Sequence, residues 1–227
     1  YLKQGVSKED ITAGLAFAQW DPEIQLGAGF GSDIAVNGST VHLIYGENPI
    51  LYRRSTDNGS TWSSPIILAS TGRIHLTDML QASGSDVWAL YLKDLTDFTD
   101  WCCPRTAGDI YMKRSRDGGL TADSEVRLTT SHKAFRISMA VSGDRLDMVW
   151  GDYRRGIWDV YYRRSLDRGN TWGPEVVLAL GDTPGDGPGR PQVASLGDSV
   201  HVTWGDRPNP VTKSAFITTL DRFDVYY

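Results

Sequence analysis

The chain has 227 residues, 40% hydrophobic and 22% charged, with 24 Gly and 10 Pro, a balance that excludes a disordered polar chain and describes a turn-rich globular protein. A formal net charge of −5 supplies no basic field for nucleic acid or an anionic membrane, and no apolar run is long enough for a transmembrane helix. The first residues lack the basic-then-apolar layout of a signal peptide, which leaves a removed leader open.

In chain order, residues 7–19, "SKEDITAGLAFAQ", predict a short helix capped by Ser7, with Asp10 three residues on. The segment "WDPEIQL" (20–26) matches "WGPEVVL" (172–178) and predicts a strand without its neighbours. From there the chain cycles through four short, alternating segments, A to D. The A segments "DIAVNG", "MLQASG" and "SMAVSG" each end in a turn glycine, Gly38, Gly84 or Gly143. The B segments are "STVHLIYG" (39–46), "DVWALYLKD" (86–94) and "RLDMVWGD" (145–152). "ILYRR", "DIYMKR" and "DVYYRR" supply C, and "SPIILAS", "SEVRLTT" and "PEVVLAL" supply D.

Between C and D one sentence is written three times: "RRSTDNGSTW" (53–62), "KRSRDGGLTA" (113–122) and "RRSLDRGNTW" (163–172). A fourth cycle has A at 192–197, B at 199–206 and "DVYY" (224–227) as C. Repeats of this length, each a four-stranded antiparallel sheet, describe a β-propeller blade of ~40 to 50 residues. The chain thus divides into an N-terminal segment, 1–19, and an all-β propeller, 20–227. Its blades span about 30–70, 75–130, 134–180 and 190–227, the last completed by 20–27. If those ends meet, a four-bladed ring closes and hides its edge strands; if not, this is a segment of a larger propeller.

The repeated sentence reads as a turn. Its Ser and Asp accept hydrogen bonds from their own backbone, and its Gly takes conformations that strain other residues. One carboxylate per turn is too few oxygens for calcium. The pattern resembles the Asp-box, or BNR repeat, of the sialidase-like β-propellers. It is carried by Ser55, Asp57, Gly59, Thr61 and Trp62, by Ser115, Asp117, Gly119 and Thr121, with Ala122 in place of Trp, and by Ser165, Asp167, Gly169, Thr171 and Trp172. That family holds sialidases, other glycosidases, lectins and noncatalytic propellers. The resemblance implies that ligands bind at the opposite end, on the D–A and B–C loops around the central channel.

The D–A loops carry Arg73, Arg136 and Arg190, the last two equally spaced from Gly143 and Gly197. Planar guanidinium groups suit carboxylates, and three of them are similar in outline to the arginines with which sialidases grip a sugar acid. The B–C loops contribute Asp94, Asp100 and Trp101 from a long loop at 94–108, then Asp152, Tyr153 and Asp206. The chain's 8 Trp and 10 Tyr suit both inter-sheet packing and sugar-facing platforms. No Tyr nucleophile with its Glu partner is marked, Tyr45 with Glu47 being one unmarked pair, and "FRIS" (135–138) lacks the proline of the sialidase Phe-Arg-Ile-Pro signature.

The four histidines form no metal set, and His42 and His201 occupy equivalent B positions. Cys102 and Cys103 are adjacent, so a bond between them closes a strained ring; free thiols or contact with a partner chain are the alternatives. The expectation is an extracellular or cell-surface propeller that needs no metal or cofactor and binds a glycan or other small anionic ligand. A sialidase-like hydrolase and a noncatalytic interaction propeller are the alternatives, with a homo-oligomer or larger assembly left open.

Overall fold

Turn glycines divide the chain where its repeats predict. The computed structural model describes residues 23–29, 31–72, 74–99, 104–181, 189–206 and 214–221. Strands β1 (Ser32–Asn37), β2 (Thr40–Tyr45), β3 (Ile50–Ser55) and β4 (Ile66–Ala69) pair antiparallel in that order. The second unit is β5 (Ile74–Ser83), β6 (Asp86–Thr99), β7 (Pro104–Ser115) and β8 (Val126–Arg127). The third is β9 (Ala134–Ser142), β10 (Arg145–Asp152), β11 (Asp159–Ser165) and β12 (Val176–Ala179). A single bridge from Gly108 to Ala134 ties these two together. The last described unit is β13 (Gly189–Leu196), β14 (Ser199–Asp206) and β15 (Ser214–Asp221).

Each first hairpin turns on a glycine at φ between +56° and +62°, namely Gly38, Gly84, Gly143 and Gly197. A side chain there costs ~1 kcal/mol or more, which is why the turn is written with glycine every time. Alternation along the strands gives every sheet two faces, and both must be covered. The face of β6 carrying Trp88, Leu90 and Leu92 packs against Leu146, Met148 and Trp150 of β10. Ile44 of β2 lies in one cluster with Val87, Ala89 and Tyr91 of β6, and Val149 of β10 in another with Val200 and Val202 of β14. The first strands form a row in which β1 packs on β5, β5 on β9 and β9 on β13. Among the described residues the row is open, with no packing of comparable extent between β1 and β13, β14 or β15.

Three expectations move. Within the long loop expected at 94–108, residues 96–99 and 104–107 instead continue the β6–β7 pairing, from Thr96–Ala107 to Thr99–Pro104 beyond a bulge. The third strand of the last unit is Ser214–Asp221, paired with β14 along its length, rather than 224–227, which lies outside the described residues. Residues 23–29 form no strand. The helix expected at 7–19 lies outside the described residues, and among the described ones there is no helix.

The three repeated turns share one hydrogen-bond pattern. The Ser55 hydroxyl donates to Asp57 Oδ1 at 2.6 Å and accepts the Gly59 N–H at 2.8 Å, while Asp57 accepts the Thr61 N–H at 2.8 Å and its hydroxyl at 2.6 Å. The same four bonds recur around Asp117 and Asp167. In the first two turns the residue before the Ser reaches the next unit, while Arg164 bonds Asp147 of its own sheet at 2.9 Å. Arg54 donates to the Gly118 carbonyl at 3.1 Å, and Arg114 donates to the equivalent carbonyl of Arg168 and, at 2.8 Å, to Asn170. The turn glycine itself is covered by the preceding unit. A Cβ on Gly119 would fall 1.7 Å from the Tyr52 hydroxyl oxygen, and one on Gly169 would fall 3.1 Å from Met112 Cε. Where Ala122 replaces Trp, a small apolar pocket remains, lined in part by Ile66, Leu68, Leu80 and Val87.

Two outcomes follow from these turns. Gly119→Ala meets both a left-handed φ of +84° and the Tyr52 ring, whereas Gly59→Ala, at φ +89°, meets only Trp62 at 4.0 Å. Thermal unfolding is expected to show Gly119→Ala as the more destabilising by at least ~1 kcal/mol; equal losses would mean that Tyr52 does not cover the turn. The Ser55 and Thr61 hydroxyls hold Asp57 down at about 2, and the Thr121 N–H and hydroxyl hold Asp117 lower than usual. Because the folded carboxyls lie below their ordinary 3.8, their stabilisation is complete above that value and disappears as pH falls through the folded one. The melting temperature should therefore drop between about pH 4 and pH 2, and Asp57→Asn with Asp117→Asn should flatten that drop. An unchanged acid limb in the double variant would exclude these carboxyls as its source.

Candidate functional site

The B–C and D–A connections lie at the end of each sheet opposite the repeated turns. In the third unit they converge. Arg136 on β9 has φ +53° and Arg190 on β13 has φ +54°, each beside a register shift in the pairing with the next strand. Gly31, equally spaced from its own turn glycine, has φ +70°. Residues with a side chain rarely adopt such angles, and a bulge at a sheet edge re-aims the side chain it carries. The same backbone device thus points an arginine off the end of two neighbouring strands.

Aromatic rings gather beside the first of these arginines. The Arg136 guanidinium lies 5.4 Å from the Phe135 ring centre, Phe135 lies 6.1 Å from Trp158, and Tyr153 lies 5.2 Å from Trp158 at an interplanar angle of 51°. Trp158 is buried, while Phe135, Tyr153 and Arg136 are half-buried. Gly151 makes room for this arrangement, since a Cβ there would stand 3.4 Å from the Phe135 carbonyl and 3.5 Å from the Trp158 ring.

Asp152, the residue before Tyr153, is turned inward. Fully buried, it accepts hydrogen bonds from Ser131 at 2.7 Å, Trp150 Nε1 at 3.2 Å, Arg154 Nη2 at 2.7 Å and the Arg154 N–H at 2.9 Å. Arg154 continues to Glu175 at 2.7 Å and lies 4.1 Å from the Tyr161 ring centre. Burial opposes its charge, yet Asp152 and Glu175 hold its pKa above the ordinary value. Asp159, opposite Asp152 in the ladder, accepts the Gly181 N–H at 2.9 Å, and its buried Oδ2 has no partner among the described residues.

The second unit builds a different surface. Asp94, exposed and at φ +56°, accepts the Tyr111 hydroxyl at 2.5 Å. Burial and this carboxylate push Tyr111 up to about 12. Tyr91 likewise donates to Glu125 at 2.5 Å, and burial together with Glu125 raises its pKa. His132, at φ +54°, places Nδ1 3.0 Å from the buried Asp109, which also accepts its N–H at 2.9 Å and a bond from Arg127.

Of the residues predicted for this end, Arg136 and Tyr153 share the Phe135–Trp158 cluster, while Asp152 is turned inward as a structural acceptor. Arg190 is exposed at the matching point of the next unit, Asp94 belongs to the Tyr111 surface, and Asp206 ends β14 opposite Ser214. Arg73, Asp100, Trp101, Cys102 and Cys103 lie outside the described residues. No sequence pattern assigns a site role to Phe135, Trp158, Asp109 or His132. A usable signal existed for Asp109, because it and Asp159 open equivalent C strands.

A Trypanosoma rangeli sialidase in complex with the inhibitor DANA is similar to this chain in fold, with a TM-score of 0.53 and 12% identity, over 83% of this chain and 35% of the sialidase. The fold is that of the sialidase-like β-propellers. The GH93 alpha-L-arabinofuranosidase of Fusarium graminearum with arabinobiose gives a TM-score of 0.52 at 16% identity, over 84% of this chain and 62% of that protein. Xylan beta-1,4-xylosidase from Bacillus halodurans C-125 gives 0.50 at 12% identity, over 85% and 40%. The chain spans less than two thirds of the length of each of these proteins. No protein-family model and no curated protein sequence matches it.

Asp152→Ala removes the shared acceptor of Ser131, Trp150 and Arg154. A loss of ~2 to 4 kcal/mol in urea unfolding is expected, below the full value for a buried pair because Arg154 is partly exposed. A loss under ~1 kcal/mol would show that the junction does not depend on this carboxylate.

Proposed function

We propose that the chain is an Asp-box propeller of about four blades that binds carbohydrate, preferentially acidic, at the end opposite its repeated turns. The observation that carries this reading is the half-buried Arg136 beside Phe135, Tyr153 and Trp158, on a bulge that Arg190 repeats in the next unit. Aromatic faces stack on the apolar faces of sugar rings, and a guanidinium pairs with a carboxylate in two parallel bonds. The propeller glycosidases that share the fold are consistent with a glycan ligand. The preferred role is lectin-like, with a sialidase-like hydrolase as the alternative. On this reading the protein works outside the cell or at its surface, where such ligands are displayed.

Binding to an array of acidic and neutral oligosaccharides tests the proposal. Acidic members should be retained, and Arg136→Ala with Arg190→Ala should weaken them by ~10- to 100-fold, the worth of a charge-assisted hydrogen bond. Trp158→Ala should weaken acidic and neutral members alike. An array without any bound sugar would overturn the reading, and turnover of aryl glycosides by the parent would replace it with the hydrolase alternative.

A further inference from the structure

Two neighbouring inter-sheet junctions are built alike except for one ring. Trp172 closes the third repeated turn and packs on the apolar cluster shared by the second and third sheets. At the same place in the second turn stands Ala122, and a pocket lies beside it between the first and second sheets. The ladders align the two junctions residue by residue. Tyr52 and Leu68 line the pocket where Met112 and Leu128 belong to the cluster under Trp172. Leu80, Val87 and Ala89 line it where Met139, Leu146 and Met148 stand one junction on.

The walls do not close over the space that Ala122 leaves. Ala89 in place of Met148 and Val87 in place of Leu146 deepen it, and only Tyr52 exceeds its counterpart, Met112, in size. The Tyr52 ring is held where it is, because its hydroxyl bonds His42 Nδ1 at 2.7 Å and covers Gly119. Polar groups at the wall are already engaged: Arg114 with Asp123 and Asn170, and the Ser115 and Thr121 hydroxyls with Asp117. A molecule entering the pocket is therefore met by carbon, which favours an apolar guest over water. Lys113 lines the wall as well, and a cation beside an aromatic face is attractive. Trp172 Nε1 is buried with no hydrogen-bond partner among the described residues, so the ring at the equivalent place is held by packing and not by its N–H.

We propose that the pocket beside Ala122 is a binding site for a small planar aromatic molecule of about the size of indole. The bound ring takes the place that Trp172 fills in the next junction and ties the first sheet to the second. Thr121 and Ala122 are exposed at its mouth, so the ring enters without unfolding the junction. The site lies at the turn end of the sheets, away from the Arg136 cluster, and does not depend on the glycan reading.

Titration of fluoroindole against the full chain, followed by fluorine NMR, tests the site. Saturable binding is expected, with a dissociation constant on the order of 1 mM, a modest value for a ligand of this size, and unlabelled indole should compete. The methyl resonances of Leu68, Leu80 and Val87 should shift as the ligand is added. Ala122→Trp supplies the ring from the chain itself and should weaken fluoroindole by at least ~10-fold. Ala89→Met narrows the pocket from the opposite wall and should do the same, which keeps the test open if the Trp variant fails to fold by circular dichroism. Absence of saturable binding by the parent, methyl shifts confined to residues outside the pocket, or unchanged affinity in a folded variant would overturn the proposal.

Discussion

The structure depends on a chain of charge-assisted bonds running from one turn to the next. Each Asp carboxylate is clamped by the hydroxyls and N–H groups of its own turn, which stiffens the turn enough to offer a carbonyl at a fixed place. The arginine of the preceding sheet takes that carbonyl, as Arg54 does with Gly118 and Arg114 with Arg168. A bare sheet cannot bury both faces by itself, so its stability comes from its neighbours and from whatever holds them at the right spacing. Apolar packing supplies most of the free energy and is non-directional. The latch supplies the direction, and the glycine under it lets the two sheets approach.

That arrangement separates the two ends of every sheet. At the turn end, side chains are committed to one another and little can change without loss of packing. At the other end the connections differ in length and content: a long hairpin in the second unit, a short loop with Tyr153 and Trp158 in the third. Variation is tolerated there because the frame does not rely on it, and this is where bulged arginines and aromatic rings collect. Buried acceptors such as Asp152 and Asp109 are the exception, since they tie the variable loops back to the strands.

Much of the frame was legible because repetition multiplies a weak signal. One alternating segment is ambiguous, but three in register with the same turn glycine and the same Ser-x-Asp-x-Gly-x-Thr sentence are not. The matching of Arg136 with Arg190 was equally legible by counting from Gly143 and Gly197. Other features were hidden for physical reasons. Nothing in "DLTDFTDWCCPRTAG" marks it as paired strand, because its polar residues suit a loop as well as an exposed hairpin. Strand β15 carries no copy of the C-strand pattern, so its pairing with β14 follows from main-chain bonds that any sequence can make.

The division between the two sources of information is therefore sharp. The order of residues alone determined the period, the strands within it, the turn that recurs and the arginines at the far end, because these are local and repeated. Only the tertiary structure decided what surrounds each group. Asp152 and Arg136 look alike on the page as charged loop residues, yet one is buried under four hydrogen bonds and the other lies beside an aromatic cluster. The exposure of Ile34 and Val36 on the first sheet is likewise invisible in a sequence whose pattern matches that of the buried ones. Burial is a property of what lies opposite, and no residue encodes its neighbour across a sheet.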